Sequence, residues 1–218
     1  MNQNVVSEIS NSLMFRYQIP CSQIKSDDKQ AVELPAVNRL PDFSDINGDR
    51  SFGQLRGAWS ASGIYFWLKV TGKKQSLWCR RTQLLESDGL QIWLDTRDTK
   101  NVHRATRFCH WFLLLPEGGG NDQKKPLATM LKINRAKEHS PCINQAPISI
   151  SSQISKSGYT LSAFIPAVSI NGWDVSEHRM IGFNYAIADR ELGTQCLGVG
   201  MDFPVCEDPS LWSTMKLN

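Results

Sequence analysis

The chain alternates between apolar and polar positions for most of its length, and the alternation has the two-residue period of half-buried strands. Leu90, Ile92 and Leu94 share one face of such a segment, with Gln91, Trp93 and Asp95 on the other. Leu55, Gly57 and Trp59 alternate in the same way; after a Ser-Gly turn, Ile64, Phe66, Leu68 and Val70 face one side and Tyr65, Trp67 and Lys69 the other. Phe108 to Leu115 is apolar on both faces, as in a strand at the centre of a sheet covered on both sides, and Pro116 is expected to end it. Leu127 to Ile133 reads as another strand. Ile148, Ile150 and Ile154 share a face, then Tyr159, Leu161, Ala163 and Ile165, then Ile181, Phe183, Tyr185 and Ile187. Shorter strands are expected at Met14 to Ile19, at Leu197 to Met201 and at Met215 to Leu217, with one helical turn between Pro166 and Val175. No long amphipathic helix interrupts the series. About ten short strands joined by turn chemistry predict an all-β fold, an immunoglobulin-like or jelly-roll β-sandwich. Residues 1–50, polar and then rich in Pro, Asp and Asn, read as an N-terminal extension wrapping the surface, and residues 51–218 as the sandwich itself.

Composition narrows the function. The 218 residues are 41% hydrophobic and 21% charged, ordinary for a globular chain with a sizeable core. A formal charge of +3, without a basic stripe interleaved with aromatics, argues against nucleic acid; Arg80 and Arg81 read as solvated surface. No apolar run approaches the roughly 20 residues of a membrane span. The first residues lack the pattern of a secretory signal, and the six cysteines are scattered without a Cys-x-x-Cys pair, so the expectation is a cytoplasmic protein with reduced thiols. The Asp45–Asn47–Asp49 series opens like a calcium loop but lacks the closing glutamate, and the glycines before Asn121 lack the ending of a phosphate cradle.

Candidate chemistry gathers around one hairpin, Ser87 to Phe112. Arg97, Arg104, Arg107, Arg135 and Arg190 suit an anionic ligand if they converge, since guanidinium forks match oxyanions; the alternative is pairing with Asp95, Asp98, Glu138, Asp189 and Glu191 in a structural network. His103, His110 and His139 with Cys109 do not make a metal site by spacing, because Cys109 and His110 point to opposite faces of a strand. Met130, Met180, Met201 and His178 have no register that would hold a haem, so no cofactor is expected. An acid–base pair of His103 or His110 with Asp189 or Glu191 would require the two ends to meet in a pocket. Trp93 is either a ligand platform or a covered side chain.

Four segments carry a resemblance: IYFWLKV, SDGLQIWLD, GYTLSAFIP and IGFNYAIAD, followed by DPSLWSTMKL. In this order they resemble the family 9 carbohydrate-binding modules over about residues 55–217, most of the chain. DTRDTKNVHRATRFCH, NRAKE and DRELG are similar to bacterial proteins that carry such a domain alone. The resemblance implies a sandwich that binds rather than reacts, with two aromatic rings enclosing a sugar; Trp78 and Trp212 occupy the nearest positions. The expected function is therefore non-catalytic binding of a small polar ligand of carbohydrate type, through Trp78, Gln91, Trp93, Arg97, His103, Arg104, Arg107, His110, Arg135, Asp189, Arg190, Glu191 and Trp212. A structural or partner-binding domain and an enzyme built on the His/Arg/Glu cluster are the alternatives.

Overall fold

The computed structural model describes residues 17–25, 29–44, 50–142, 147–198, 200 and 203–218. Among these, eleven strands form two sheets. They are β1 (Gln18–Gln23), β2 (Gly53–Ser60), β3 (Gly63–Thr71), β4 (Gly89–Asp95), β5 (Cys109–Gly119), β6 (Lys125–Leu131), β7 (Ser149–Ser155), β8 (Gly158–Pro166), β9 (Met180–Asp189), β10 (Gly193–Cys196) and β11 (Ser213–Leu217). One sheet runs β6-β5-β4-β9-β11-β1, with β10 beyond β11 along the same edge of β9; the other runs β1-β2-β3-β8-β7. β1 belongs to both. Its first part pairs in parallel with β11, and Ser22 and Gln23 pair in parallel with β2. Pro20 is tolerated inside β1 because it lies where only the β11 edge is engaged.

The apolar residues of each alternation meet between the sheets. Ile92, Phe112, Phe183 and Ile187 of the first sheet face Ile64, Phe66, Leu68 and Leu161 of the second, all essentially without solvent contact. Each such side chain contributes about 1.5–3 kcal/mol by leaving water. Gln195, on β10, fastens the sheets together at one edge. Its buried Oε1 accepts from the amides of Phe52 and Gly53 at 2.9 and 2.8 Å, and its Nε2 donates to the Gly53 carbonyl at 2.9 Å. Gln195→Met is expected to destabilise the protein by about 2 kcal/mol in urea unfolding, since two amides lose their acceptor in a dry site.

Both outer faces are also covered. Leu34, from the stretch before β2, packs with Ala58, Tyr65, Trp67 and Phe164 on the second sheet, and Arg56 lies 4.0 Å over the Trp67 ring while donating to the Leu34 carbonyl. Over the first sheet, Ala105, Ile133, Val205 and Trp212 from three connecting segments bury Trp93 and Trp111.

Several boundaries differ from the sequence expectation. β5 runs past Pro116 to Gly119 because its register with β6 shifts between Leu115 and Gly119, so the missing proline amide falls in the irregularity. β5 is second from the edge rather than central; its two apolar faces are explained by the loops over it. No strand starts at Leu197: β10 precedes it, ending at Cys196, and Leu197 itself enters the core. Val199, Met201, Met14 and the Asp45–Asp49 motif lie outside the described residues. The turn after β8 is a single 3-10 turn at Ala167–Ser169. Among the described residues no helix is long and apolar enough to cross a membrane.

Candidate functional site

At the end of the first sheet where β4 begins and β9 ends, three buried charges form one knot. Lys73, just after β3, places its ammonium 2.9 Å from Asp88 and 2.6 Å from Asp189, with all three side chains at 2% exposure or less. Burial works against the Lys73 charge, but the hydrogen bonds it donates to Asp189 and Asp88, together with their negative charges, outweigh it and raise its pKa. Every carboxylate oxygen is used. Asp88 also accepts the amides of Trp78 (3.0 Å, Oδ2) and Arg190 (2.8 Å, Oδ1), and Asp189 Oδ1 accepts those of Glu191 and Leu192. The knot thus joins the end of β3, the start of β4 and the end of β9. It also fixes the backbone on which Trp78 stands.

Trp78 is half-buried, with the guanidinium carbon of Arg190 4.5 Å and that of Arg80 5.7 Å from its ring centroid. Glu191 turns back to accept from the amides of Gln75 (2.7 Å) and Lys74 (2.9 and 3.0 Å). Those amides, Gln75 first, hold its carboxyl below the usual range. An aromatic plate on an anchored loop is the element of this chain best suited to stack a ligand ring.

Next along the same face, Gln91 and Trp93 point outward from β4. Gln91 is in register with Leu113 and Ala186, Trp93 with Trp111 and Asn184. The two indoles stack at 5.5 Å between centroids. Gln91 Oε1, Trp93 Nε1 and Trp111 Nε1 are buried without a hydrogen-bond partner among the described residues. Trp93, on the polar face of its strand, is therefore a covered side chain, fully buried under the connecting segments.

The hairpin end is a separate cluster. Asp95 accepts from the amides of Arg97 and Thr99; Lys100 joins Asp98 (2.7 Å) to the Trp212 carbonyl, and Thr214 donates to Asp98. Arg97 donates to the carbonyls of Thr96 and Gly172 and lies 4.3 Å over Phe108. Arg104 donates to the Arg135 carbonyl, Arg107 pairs with Glu138 at 3.0 Å and Arg135 approaches Glu207 at 3.9 Å. Trp212 is buried and its indole donates to the Val205 carbonyl at 2.7 Å. His110 accepts from the Asn171 amide at 2.8 Å, and burial lowers its pKa to about 4, so it is a neutral structural side chain.

His103, Asp208 and Ser210 meet on the surface but do not form a nucleophilic relay. Asp208 and Ser210 both approach the same ring nitrogen, Nδ1, at 3.0 and 3.1 Å, and the Ser210 hydroxyl donates to Asp208 at 2.6 Å. A relay needs the hydroxyl on the nitrogen opposite the carboxylate. The thiols of Cys79 and Cys109 are pushed up to about 12, chiefly by burial, and no disulfide forms among the six cysteines. No group of three or more His, Cys, Asp or Glu side chains among the described residues is placed to hold a metal.

The thirteen residues singled out in the sequence thus divide. Trp78, Asp189, Arg190 and Glu191 share one end, Gln91 and Trp93 lie midway, and the remaining seven lie at the hairpin end. β9 runs antiparallel to β4, so Ala188 faces Gly89 while Gly182 faces Asp95. Six residues of strand separate those ends by about 20 Å, and His103 and His110 cannot act with Asp189 or Glu191. Lys73, Asp88 and Trp111 are absent from that set. A carboxylate at the start of one strand and another at the end of its antiparallel neighbour was the available signal for the knot.

No protein-family model matches the chain, and no curated protein matches its sequence. Solved structures do. A family 9 carbohydrate-binding module from Caldicellulosiruptor kristjanssonii in complex with cellotriose superposes with TM-score 0.60 at 13% identity, covering 93% of this chain and 94% of that one. The complex with glucose gives 0.59 at 12% identity, covering 93% and 96%. A candidate carbohydrate-binding protein from Bacteroides uniformis gives 0.52 at 11%, covering 94% and 100%. At such identities what is shared is architecture: this chain has the β-sandwich fold of the family 9 carbohydrate-binding modules.

Proposed function

We propose that the chain is a non-catalytic carbohydrate-binding domain that stacks a sugar ring on Trp78. The observation that carries this reading is the half-buried Trp78, held through its backbone amide by the buried Asp88. A pyranose presents an apolar C–H face to such a ring and hydroxyls to polar neighbours. Anchoring the plate beforehand removes part of the ordering cost of binding. Two of the solved structures that share the fold hold cellotriose and glucose, which supports the same ligand class here.

The expected result is that cello-oligosaccharides or related sugars perturb tryptophan fluorescence and raise the unfolding midpoint of the intact chain. Trp78→Ala should weaken binding by about tenfold or more, equivalent to about 1.4 kcal/mol, while the midpoint without sugar stays close to that of the parent. Sugar affinity surviving in Trp78→Ala would refute the site, and a chain that binds no saccharide would refute the function.

The hairpin end favours a structural role instead. Its charged groups are bonded to one another and to carbonyls, and the exposed Arg107–Glu138 pair contributes roughly 0–1 kcal/mol.

A further inference from the structure

The cations beside Trp78 differ from Arg107 and Arg135 at the hairpin end in how they are matched. Arg107 and Arg135 each face a carboxylate. The guanidiniums of Arg190 and Arg80 meet the Trp78 ring and, among the described residues, no carboxylate. Arg80 has one weak side-chain bond, to the Cys79 carbonyl at 3.3 Å. Among the described residues no neighbouring acid, Glu117 included, pairs with either arginine. Asp88 and Asp189 share Lys73 and accept backbone amides, Glu191 is held by the amides of Lys74 and Gln75, and Glu86 pairs with neither arginine. Plate and cation also share an anchor, since opposite oxygens of Asp88 hold the amides of Trp78 and Arg190.

We propose that the Trp78 site selects an acidic saccharide, a pyranose bearing a carboxylate or an ester-linked oxyanion, with Arg190 and Arg80 as its counter-ions. The proposal rests on Trp78 being the sugar platform. A guanidinium beside the ring competes with a neutral sugar for its face, and the cation–π contact it would surrender is weak at an exposed site. A sugar with an oxyanion turns that competitor into a partner, because the fork can leave the ring and take the anion in two parallel hydrogen bonds.

The test is isothermal titration of the intact chain with a galacturonic acid trimer and with cellotriose, at low and high salt. The acidic trimer should bind at least about tenfold more tightly at low salt, the lower end of what a hydrogen bond to a charged group contributes, and the advantage should shrink with added salt. In Arg190→Gln and Arg80→Gln the ratio of acidic to neutral affinity should fall toward one; both side chains are exposed, so the fold should persist, with the unfolding midpoint as the check. Glucuronate and glucose 6-phosphate, compared on the same variants, tell a carboxylate from a phosphate ester as the preferred anion. Equal or tighter binding of cellotriose, or an acid preference that survives Arg190→Gln, would overturn the selectivity and leave the sugar platform standing. Failure of every saccharide would remove both.

Discussion

Lys73→Met is expected to cost roughly 3–5 kcal/mol of unfolding free energy at neutral pH, the cost of removing one partner from a buried ionic cluster. The substitution retains most of the side chain's volume but leaves Asp88 and Asp189 facing each other without the ammonium that lies 2.9 and 2.6 Å from them. Water is excluded there, and Tyr159, whose pKa burial and then these two carboxylates raise, adds no positive charge. The penalty relative to the parent should shrink as pH falls toward the carboxylate range, because protonation relieves an unpaired buried pair. Urea unfolding of both proteins at several pH values measures it. A loss below about 1 kcal/mol, the value of a surface pair, would mean that the knot is not dry. The double variant Lys73→Met, Asp189→Asn should recover part of the loss, since it removes the repulsion while the carboxamide oxygen can still accept the amides of Glu191 and Leu192.

The second large effect is a pH dependence carried by His110. Burial holds its folded pKa at about 4, with backbone contacts to Leu94 and Phe108 acting in the opposite direction, against an ordinary value of 6.5. The unfolded chain therefore takes up a proton first as the solution is acidified. The contribution is complete above pH 6.5, declines as pH falls to about 4, and is flat below that. Its full size is about 3 kcal/mol. The carboxyls of Asp174, Glu191 and Asp208 are also held low, from ordinary values of 3.8, 4.5 and 3.8, so their stabilisation is lost mainly below pH 4.5, the lower end of the comparison that isolates the histidine. Comparing denaturant midpoints near pH 7.5 and pH 4.5 should show the decline in the parent and a much smaller one in His110→Asn. An unchanged slope in that variant would assign the pH dependence elsewhere.

Strand alternation was legible residue by residue. Leu90, Ile92 and Leu94 enter the core as their spacing requires, and so do the apolar partners on β3, β8 and β9. That legibility has a local cause: successive side chains on a strand point to opposite faces whatever the rest of the chain does. The order of four such segments was also enough to match the sandwich seen in the solved modules. The candidate site was only partly legible. Trp78, Arg190 and Glu191 stood among the chosen residues, but beside Arg107, Arg135 and His110, which lie about a sheet's length away. Proximity along the Ser87–Phe112 hairpin had suggested a single cluster, whereas a strand carries its two ends apart.

Local pattern thus decides which residues form strands, which faces are apolar and, through strand order, which architecture encloses the core. Tertiary contact decides the rest. Alternation places Trp93 on the polar face of its strand and leaves open whether it is covered; it is buried because segments around Ala105, Ile133 and Val205 return over it. Lys73, Asp88 and Asp189 are separated in the chain and become a single ionic knot only when the end of β3, the start of β4 and the end of β9 come together. Trp78 gains its place from that knot. Spacing along a sequence encodes direction within one strand; distance between strands is set by pairing register and loop return, to which no local period corresponds.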